Sequence, residues 1–452
     1  MTSTVDTLAG IDPLALLARW PQRYPAFLDS SAGNPLTGRR DLLAVGDGRH
    51  LVLGGDGQVR DQDGQVVGSD FASCLDAAFD RERLERDSAD DDVAGGGWLL
   101  YLGYEAVAQF EPTLRLPAFN EAALPVALAL RTPATLWREH ADGRSRVFAE
   151  PGWEHLLDRL CEDAAECASP GHGDDLPPVD ALVEDPPQRF VDGVQRVLDH
   201  LRAGDTFQVN LSRGWRARFA ASPDPVALYR RLRRLSPAPF SALLRWQDAS
   251  VLSASPERLL RVRGRRIDTR PIAGTRPRGR DEAEDAALLA ELIAHPKERA
   301  EHVMLIDLER NDLGRICIPG SIRVDELMTL ESYAHVHHIV SNVGGELRAD
   351  VTPGQVLRAL FPGGTITGCP KVRCMEIIAG LEAVGRGPYT GAIGYLDCHG
   401  DMDLNILIRS AWLDVDRMGF RTGAGIVADS IAGRELAETR AKARGMLALL
   451  GQ

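Results

Sequence analysis

The sequence lacks the features that mark secreted, membrane-bound and nucleic-acid-binding proteins. No run of about 18 apolar residues occurs, and no basic N-terminal segment precedes an apolar one, so neither a membrane span nor a secretion signal is indicated. A formal net charge of −13 leaves no broad basic surface for nucleic acid or for an anionic membrane. We therefore expect a cytoplasmic protein that binds neither.

Cysteine is scarce and forms no pattern. The seven cysteines are scattered and include no CxxC pair, which favours reduced thiols over disulfides. Cys369 and Cys374 lie five residues apart in a glycine-rich stretch, where ordinary packing is a better interpretation than a metal site. The sequence also has no 20- to 50-residue repeat, so a solenoid is not expected.

The composition is that of an ordinary globular protein. The 452 residues, 44% hydrophobic and 26% charged, exceed what one core usually serves. Residues 167–188, rich in Pro, Gly and Asp, are the best linker candidate. We therefore predict an N-terminal domain over residues 1–180 and a second domain over residues 186–452.

Strand-like and helix-like segments are mixed along the chain. Residues 49–68 alternate apolar and polar positions around Gly-Asp-Gly and Asp-Gly turns, a pattern typical of antiparallel hairpins. Apolar residues recur at helical spacing over 190–205, 281–310 and 433–450. Because strict strand-helix-strand alternation is absent, we predict an α+β fold with antiparallel sheets.

Two predicted helices carry pairs of glutamates three residues apart. Glu298 and Glu301 form one pair, Glu435 and Glu438 the other, and each pair lies on one helix face. If the helices met, these oxygen ligands could hold a hard cation such as Mg²⁺ together with several waters. The alternative is that both pairs are solvated and balanced by neighbouring lysines and arginines.

Two glycine-rich turns could bind an anion. In residues 361–373 and 421–430 the glycines would let backbone N–H groups approach a ligand, and Lys371 could add positive charge to the first turn. The lysine follows Cys-Pro and precedes no Ser or Thr, so this is not a phosphate loop. Each run could equally be only a tight turn.

Two single polar side chains are further candidates for a functional site. Arg409, on the alternating stretch 404–410, could hold a carboxylate with its planar guanidinium or form a structural ion pair. Glu257, in a turn, could be a general acid if burial raised its pKa, although an exposed carboxylate is the alternative. Residues 307–315 predict a salt-bridged helix end.

Three histidines lie close together in the sequence. On a strand, His335 and His337 would share one face and His338 would occupy the other, which disfavours a zinc site formed by all three. One of them could handle a proton, or it could be merely packed.

Taken together, these segments resemble the chorismate-binding enzyme family, which includes anthranilate, aminodeoxychorismate, isochorismate and salicylate synthases. The resemblance runs from about Pro186 to Met446 through GDTFQVNLS, SASPERLL, RPIAGTRPRG, KERAEHVMLIDLERNDLGR, HHIVS, FPGGTITGCPK, RGPYTGAIGY, IRSAW, GAGIVADS and ELAETRAKA. FLDSSAG and WLLYLGYE resemble the family's first domain, where relatives have a tryptophan pocket. The resemblance implies an antiparallel β-sandwich surrounded by helices.

The resemblance also implies roles for matching residues. It makes Glu298 and Glu435 the ligands of Mg²⁺, supported by Glu301 and Glu438. It puts Glu257 at the departing hydroxyl of chorismate and His338 beside the ring. The remaining residues that it places around the substrate are Thr275, Gly364, Thr365, Tyr389, Arg409, Gly423, Ala424, Gly425 and Lys442.

The chemistry of chorismate agrees with such a site. Chorismate is a small dianion whose ring becomes electrophilic when Mg²⁺ binds the ring carboxylate and the C4 hydroxyl is protonated as it leaves. A nucleophile can then add at C2, or reach C4 after a first displacement.

Two positions bear on the product. Family members that add water resemble one another in having lysine where this sequence has Gln208, and an amide cannot act as the base that water requires. Ammonia use is therefore favoured over isochorismate or salicylate formation, which implies a glutamine amidotransferase partner, because no glutaminase signature is visible in this chain.

Ala273 complicates the assignment. Many aminodeoxychorismate synthases have a lysine nucleophile where Ala273 stands, and a methyl group cannot perform that attack. The length and the strings FLDSSAG, GYE and FPGGTITG nevertheless favour the amination of chorismate to 4-amino-4-deoxychorismate, in the route to folate, by a lysine-lacking variant. Anthranilate synthesis is the alternative, and a catalytically silent chorismate- or tryptophan-binding regulatory subunit is a minor one.

Overall fold

Two large antiparallel sheets organise the chain. The structure, a computed structural model, describes residues 3–6, 11–32, 40–86, 95–141, 143–167, 175–332 and 336–451. Within these ranges the strands form two sheets of twelve strands each, and the paired strands are antiparallel. The predicted α+β class with antiparallel sheets is therefore confirmed.

The helices, in chain order, are α1 Pro13–Arg19, α2 Phe71–Glu82, α3 His155–Glu166, α4 Pro187–Arg202, α5 Pro225–Leu235, α6 Glu282–Ala294, α7 Pro296–Gly314, α8 Pro353–Leu360, α9 Lys371–Glu382 and α10 Ala432–Leu449. Short 3-10 helices span Tyr104–Gln109 and Gly364–Ile366. None of the helices in the described ranges is both long enough and apolar enough to cross a membrane.

The strands before residue 220 are β1 Ser3–Asp6, β2 Ala26–Asp29, β3 Arg40–Val45, β4 His50–Leu53, β5 Val59–Asp61, β6 Val66–Gly68, β7 Trp98–Leu102, β8 Ala127–Arg131, β9 Ala134–Glu139, β10 Ser145–Ala149, β11 Val179–Glu184 and β12 Gln208–Phe219. Those after it are β13 Phe240–Trp246, β14 Ala249–Ser255, β15 Arg258–Arg263, β16 Arg266–Thr269, β17 Ile272–Pro277, β18 Arg323–Ser332, β19 Val336–Glu346, β20 Gly368–Cys369, β21 Ala392–Leu396, β22 Met402–Asn405, β23 Ser410–Asp414 and β24 Arg417–Ile426.

Each sheet draws strands from both halves of the chain. The first runs β1-β10-β9-β3-β2-β13-β14-β23-β24-β12-β11, with β20 paired to β12; the second runs β17-β19-β16-β15-β22-β21-β7-β8-β4-β5-β6, with β18 paired to β19. The expected boundary near residues 167–188 therefore does not separate one sheet from the other. Strand β11 lies inside that stretch and pairs with β12.

The sheets pack face to face with helices on their outer sides. Apolar residues of both sheets, among them Leu42, Tyr101, Leu244 and Ile393, form one shared core. Helices α1, α3, α5 and α10 cover the first sheet, and α2, α7 and α8 cover the second. This layering is the sandwich surrounded by helices that the resemblance implied.

Two local predictions were wrong in instructive ways. The helical pattern over 281–310 is broken into α6 and α7, because Pro296 cannot continue a helix and His295 caps the second one. The strand expected through 404–413 is interrupted between β22 and β23, and Arg409 lies in that interruption.

Candidate active site

Arg409 is a half-buried cation with no acidic partner among the described residues. Its backbone φ is +50°, a left-handed conformation that favours glycine and that an arginine holds only under local constraint. Burial lowers the pKa of its guanidinium. No hydrogen bond or ion pair joins that guanidinium to an acidic side chain in the described ranges.

Other buried arginines show the contrast. Arg131, Arg213 and Arg386 are each almost fully buried, and their guanidiniums pair with Glu150, Glu184 and Glu382 respectively. Burying a charge is costly unless it is paired. The alternative of a structural ion pair for Arg409 therefore finds no partner among the described residues, and the position suits a ligand that brings its own anion.

Glu257 is buried, unlike an ordinary turn carboxylate. The residue is 5% exposed, and burial raises the pKa of its carboxyl to about 7. Hydrogen bonds from the Thr365 hydroxyl and the Ile272 backbone, and then the positive charge of Lys442, oppose this rise. The Oε1 atom of Glu257 has no hydrogen-bond partner in the part of the chain that the structure describes. A carboxyl group that retains its proton near neutral pH can donate that proton to a leaving group.

His338 is a neutral imidazole beside the same cation. It lies on β19 opposite Thr275 of β17, and burial together with the charge of Arg409 lowers its pKa to about 4. His337 faces another way, because its ring nitrogens contact Ser332 Oγ at 2.7 Å and an Asp285 oxygen at 2.9 Å. Among the three histidines, His338 is thus the one near the candidate site, and His335 lies outside the described residues.

The glycine strand β24 forms another wall. Gly423 and Gly425 pair with β12, while Ala424 between them is fully buried in the core. A Cβ atom added to Gly423 would lie 2.6 Å from the hydroxyl oxygen of Tyr389, so only glycine leaves room for that ring. The Nζ atom of Lys442 on α10 donates to the Gly423 carbonyl at 3.0 Å.

The turn over 361–373 contributes Gly364 and Thr365. The hydroxyl of Thr365 is buried beside the Glu257 carboxyl, and its hydrogen bonding to that carboxyl acts to lower the pKa of Glu257. A Cβ atom on Gly364 would lie 2.3 Å from the side chain of Leu308, so the glycine lets this turn pack against α7.

Ala273 and Thr275 lie on β17 at a bulge. The register against β19 shifts between them, at Gly274, whose φ is +72°. Ala273 offers only a methyl group, so the covalent role assigned to lysine in many aminodeoxychorismate synthases has no counterpart here.

Of the four glutamates proposed for Mg²⁺, Glu298 and Glu435 lie on the first turns of α7 and α10, and Glu301 and Glu438 lie one turn further along. Glu298 is ion-paired with Arg276 at 3.2 Å, and Glu438 with Lys442 at 2.7 Å. Carboxylate oxygens suit a hard cation. However, within the described ranges no three acidic, histidine or cysteine side chains lie close enough together to hold a metal.

Electrostatic effects link four of the predicted residues in two pairs. The charge of Lys442 acts on Glu257, and that of Arg409 acts on His338. The sequence therefore nominated an acid and two cations that the fold brings to one region.

The role suggested for Lys371 was wrong. Its Nζ atom is 2.5 Å from a carboxylate oxygen of Asp312, so its charge is already neutralised by protein. Helix α7, which carries Asp312, also carries Glu309. Burial raises the pKa of the Glu309 carboxyl to about 8.

The salt-bridged helix end predicted over residues 307–315 is confirmed, because α7 ends at Gly314 and Asp307 pairs with Arg310. Two further carboxylates of this segment, those of Glu309 and Asp312, are buried.

Sequence reasoning also missed Arg386. Its guanidinium donates to Glu382, to the backbone carbonyl oxygen of Asn210 at 2.8 Å and to that of Ile366 at 3.3 Å. It therefore ties β12 and the 361–373 turn to the segment that carries Tyr389. A lone arginine in RGPY gives no local signal of such a role.

Comparison with known proteins places these features in a family. Residues 36–448 match the model of the chorismate binding enzyme family. An anthranilate synthase component I-like protein of Synechocystis is 40% identical over 366 residues, which cover 78% of this chain and 73% of that protein. Aminodeoxychorismate synthase component 1 of Bacillus subtilis is 48% identical over 257 residues, which cover 57% of this chain and 54% of its own length.

A solved structure agrees with the fold over almost the whole chain. The crystal structure of anthranilate synthase component I from Streptococcus pneumoniae superimposes with a TM-score of 0.81 at 32% identity and covers 92% of this chain and 93% of that one.

Proposed function

The chain belongs to the chorismate-binding enzyme family, and from this premise we propose that it aminates chorismate with ammonia to 4-amino-4-deoxychorismate. The observation that carries the proposal is the half-buried guanidinium of Arg409, which has no acidic partner among the described residues, in a region that also holds the buried acid Glu257. A dianionic substrate with a hydroxyl leaving group matches both groups.

Arg409 would bind one substrate carboxylate through its planar pair of N–H donors. The Lys442 ammonium and the backbone of Gly423 and Gly425 would border the second carboxylate, with the Tyr389 hydroxyl beside them. Because the pKa of His338 lies well below 7, its ring would contact the substrate as a neutral hydrogen-bonding group.

Glu257 would supply the proton for the C4 hydroxyl. The bond from C4 to oxygen would break, the hydroxyl would leave as water with that proton, and one ammonia would add at C2. Because no lysine stands at position 273, a second ammonia would then add at C4 as the first is released from C2, so that the net reaction replaces the C4 hydroxyl by an amino group with release of one water. Thr365, whose buried hydroxyl adjoins the Glu257 carboxyl, belongs to the same region.

Mg²⁺ is the proposed cofactor, with Glu298 and Glu435 as ligands and Glu301 and Glu438 in support. When bound, the ion would withdraw electrons from the ring through its carboxylate. Its binding would compete with the ion pairs that Glu298 makes with Arg276 and Glu438 makes with Lys442.

Gln208 supports ammonia as the nucleophile, since an amide cannot deprotonate water. Free ammonia is scarce at neutral pH, so we propose a glutamine amidotransferase partner that supplies it. A cytoplasmic location would suit this metabolic role, and the seven cysteines are free thiols.

The sandwich also contains a separate cavity of about 380 Å³ beside the FLDSSAG segment, bordered by Asp29, Ser30, Trp137 and Tyr395. We propose it as the counterpart of the tryptophan pocket of relatives.

Anthranilate synthesis is the second candidate. Ala273 favours it, as does the similarity to proteins named for anthranilate synthase. A silent regulatory subunit fits less well, because the buried acid Glu257 and the half-buried cation Arg409 are both present.

The product distinguishes these proposals. The purified chain is incubated with chorismate, Mg²⁺ and ammonium salt, and the product is identified by fluorescence and mass. We expect 4-amino-4-deoxychorismate, which retains the enolpyruvyl group. Anthranilate, which requires loss of pyruvate, would support the second candidate, and unconsumed chorismate would contradict both.

A further inference from the structure

A second buried carboxyl group lies close to that of Glu257. Glu309 is on helix α7 and is 7% exposed. The pKa of its carboxyl is raised to about 8, mainly by burial and then by the negative charge of Asp312, with a smaller contribution from that of Glu257. Because Glu257 acts on Glu309 in this way, the two acids lie within electrostatic range of each other. Glu309 has no role in the amination steps proposed for Glu257.

One short turn contacts both acids. A Cβ atom added to Gly364 would lie 3.4 Å from Oε1 of Glu309, an ordinary van der Waals distance, so α7 brings this carboxyl directly against the turn. Thr365, the next residue of the turn, has its hydroxyl beside the carboxyl of Glu257. Consecutive Cα atoms are only about 3.8 Å apart. The two acids therefore flank neighbouring residues of the same turn.

The charges around Glu309 leave it without a cation of its own. Lys371 of α9 acts to lower the pKa of Glu309, but its Nζ atom is 2.5 Å from a carboxylate oxygen of Asp312, so Asp312 already neutralises that charge. From β16, the hydroxyl of Thr269 acts in the same direction as Lys371 through hydrogen bonding. Among the described residues, no lysine or arginine forms an ion pair with Glu309.

Glu257 likewise has no ion pair within the described ranges. The Thr365 hydroxyl and the Ile272 backbone favour its ionised form through hydrogen bonds, and the charge of Lys442 does so from α10. Lys442 is itself ion-paired with Glu438 at 2.7 Å. Two carboxyl groups thus share one buried region in which each nearby lysine is already paired with another acid.

We propose that Glu309 is a positioning residue that shares one proton with the catalytic acid Glu257, an inference that rests on the proposed function. Two negative charges close together in a water-poor region repel each other, so such a pair releases its second proton only at a higher pH than its first. The pair therefore keeps a proton available to Glu257 at a pH at which Glu257 alone would be ionised.

Protons balance over one turnover. When the pair holds one proton and Glu257 carries it, the C4 hydroxyl takes this proton and leaves as water, and both carboxylates are then ionised. The ammonia that is incorporated releases one proton to solvent as it becomes an amine, and solvent returns one proton to the pair. Glu309 acts only through Glu257.

The pH dependence of kcat tests the shared proton. The parent and Glu309→Gln are compared from pH 6 to pH 8.5 with saturating chorismate and ammonium chloride. At pH 6 Glu257 keeps its proton in both proteins, so we expect kcat within about two-fold; at pH 8 kcat of the variant should be about three- to five-fold lower than that of the parent. Comparison at the same pH cancels the changing fraction of free ammonia.

Asp307→Asn is the control on the same helix. The Asp307 side chain is 79% exposed and pairs with Arg310, so its loss should leave kcat equal to that of the parent at both pH values. If Glu309→Gln does not fold, Glu309→Met decides in the same way, because an apolar side chain needs no hydrogen-bond partner in this buried position.

The outcomes separate the two proposals. In a Glu309→Gln protein with an unfolding midpoint near that of the parent, a ratio of kcat values that is the same at pH 6 and pH 8 overturns the shared proton and leaves the proposed function standing. Complete loss of turnover at pH 6 in that folded variant does the same. A parent protein that consumes no chorismate with saturating ammonium at any pH overturns both proposals.

Discussion

Arg409 shows at the scale of one residue how the fold prepares a site for an anion. Its guanidinium is half-buried and, within the described residues, lacks the glutamate partner that Arg131, Arg213 and Arg386 have. A charge partly removed from water is costly on its own, and a bound carboxylate would compensate it.

The Arg409→Lys variant tests this role. Lysine keeps the charge but loses the planar pair of donors, so we expect the KM for chorismate to rise about 10- to 100-fold. Arg440→Lys is the control, because Arg440 is half exposed and pairs with Glu184 on the surface. Equal KM values in parent and Arg409→Lys would remove Arg409 from the substrate site.

Glu257 makes the activity depend on pH. Its pKa is raised from 4.5 to about 7, so the protonated, proton-donating form predominates below pH 7 and is lost as the pH rises through that value. We therefore expect kcat to fall on the alkaline side of about 7. In Glu257→Gln, kcat should drop about 10²- to 10⁴-fold and this alkaline decline should disappear. A parent-like pH profile in that variant would assign the ionisation to another group.

For single residues, the sequence identified candidate side chains for the site but not how deeply they are buried or what they contact. It nominated Glu257 and Arg409. It could not predict that elements distant in sequence bury the Glu257 carboxyl and so raise its pKa. It could not show that Asp312 neutralises Lys371, because that contact joins residues 59 positions apart.

Among the elements, helices α7 and α10 carry the proposed metal ligands on their first turns. Without Mg²⁺, Glu298 and Glu438 are occupied by Arg276 and Lys442. We expect Glu298→Gln to abolish Mg²⁺-dependent turnover while leaving the unfolding midpoint unchanged, since an amide binds Mg²⁺ far less well. Glu284→Gln, on exposed α6, is the control. Near-normal turnover in Glu298→Gln would remove that residue from the metal site.

The buried pair of Glu382 and Arg386 joins α9 to the segment carrying Tyr389. Both side chains are 1% exposed, and the charges of Arg386 and Arg421 outweigh burial to hold the pKa of Glu382 below its usual value. Glu382→Gln would leave buried arginines uncompensated, so we expect the free energy of unfolding to fall by about 3 kcal/mol.

Urea denaturation measures this difference, and the exposed pair of Arg373 and Glu376 is the control. Glu376→Gln should cost less than about 1 kcal/mol because water screens that pair. A similar loss of unfolding free energy in both variants would show that the buried ion pair stabilises the fold no more than the exposed one.

Helices could be predicted where the sequence pattern that specifies them is local. The patterns over 190–205 and 433–450 correspond to α4 and α10, and the α6–α7 break follows from Pro296. The interruption at Arg409 was not predictable, since its strand-like alternation continues through the turn and only tertiary contacts impose the left-handed backbone.

For the whole molecule, the antiparallel class could be predicted, but the strand order could not. Both sheets combine strands from either side of residues 167–188, and such pairings join positions hundreds of residues apart. The cavity beside β2 and the candidate active site belong to one sheet framework, since β13 pairs with β2 on one side and with β14, which leads to Glu257, on the other.

The most direct test of the central claim is a crystal structure of the whole chain with Mg²⁺ and chorismate. We expect one substrate carboxylate within hydrogen-bond distance of the Arg409 guanidinium and the C4 hydroxyl next to Glu257, with the ion held by Glu298 and Glu435. Chorismate bound elsewhere, with Arg409 still lacking an anion, would contradict the account.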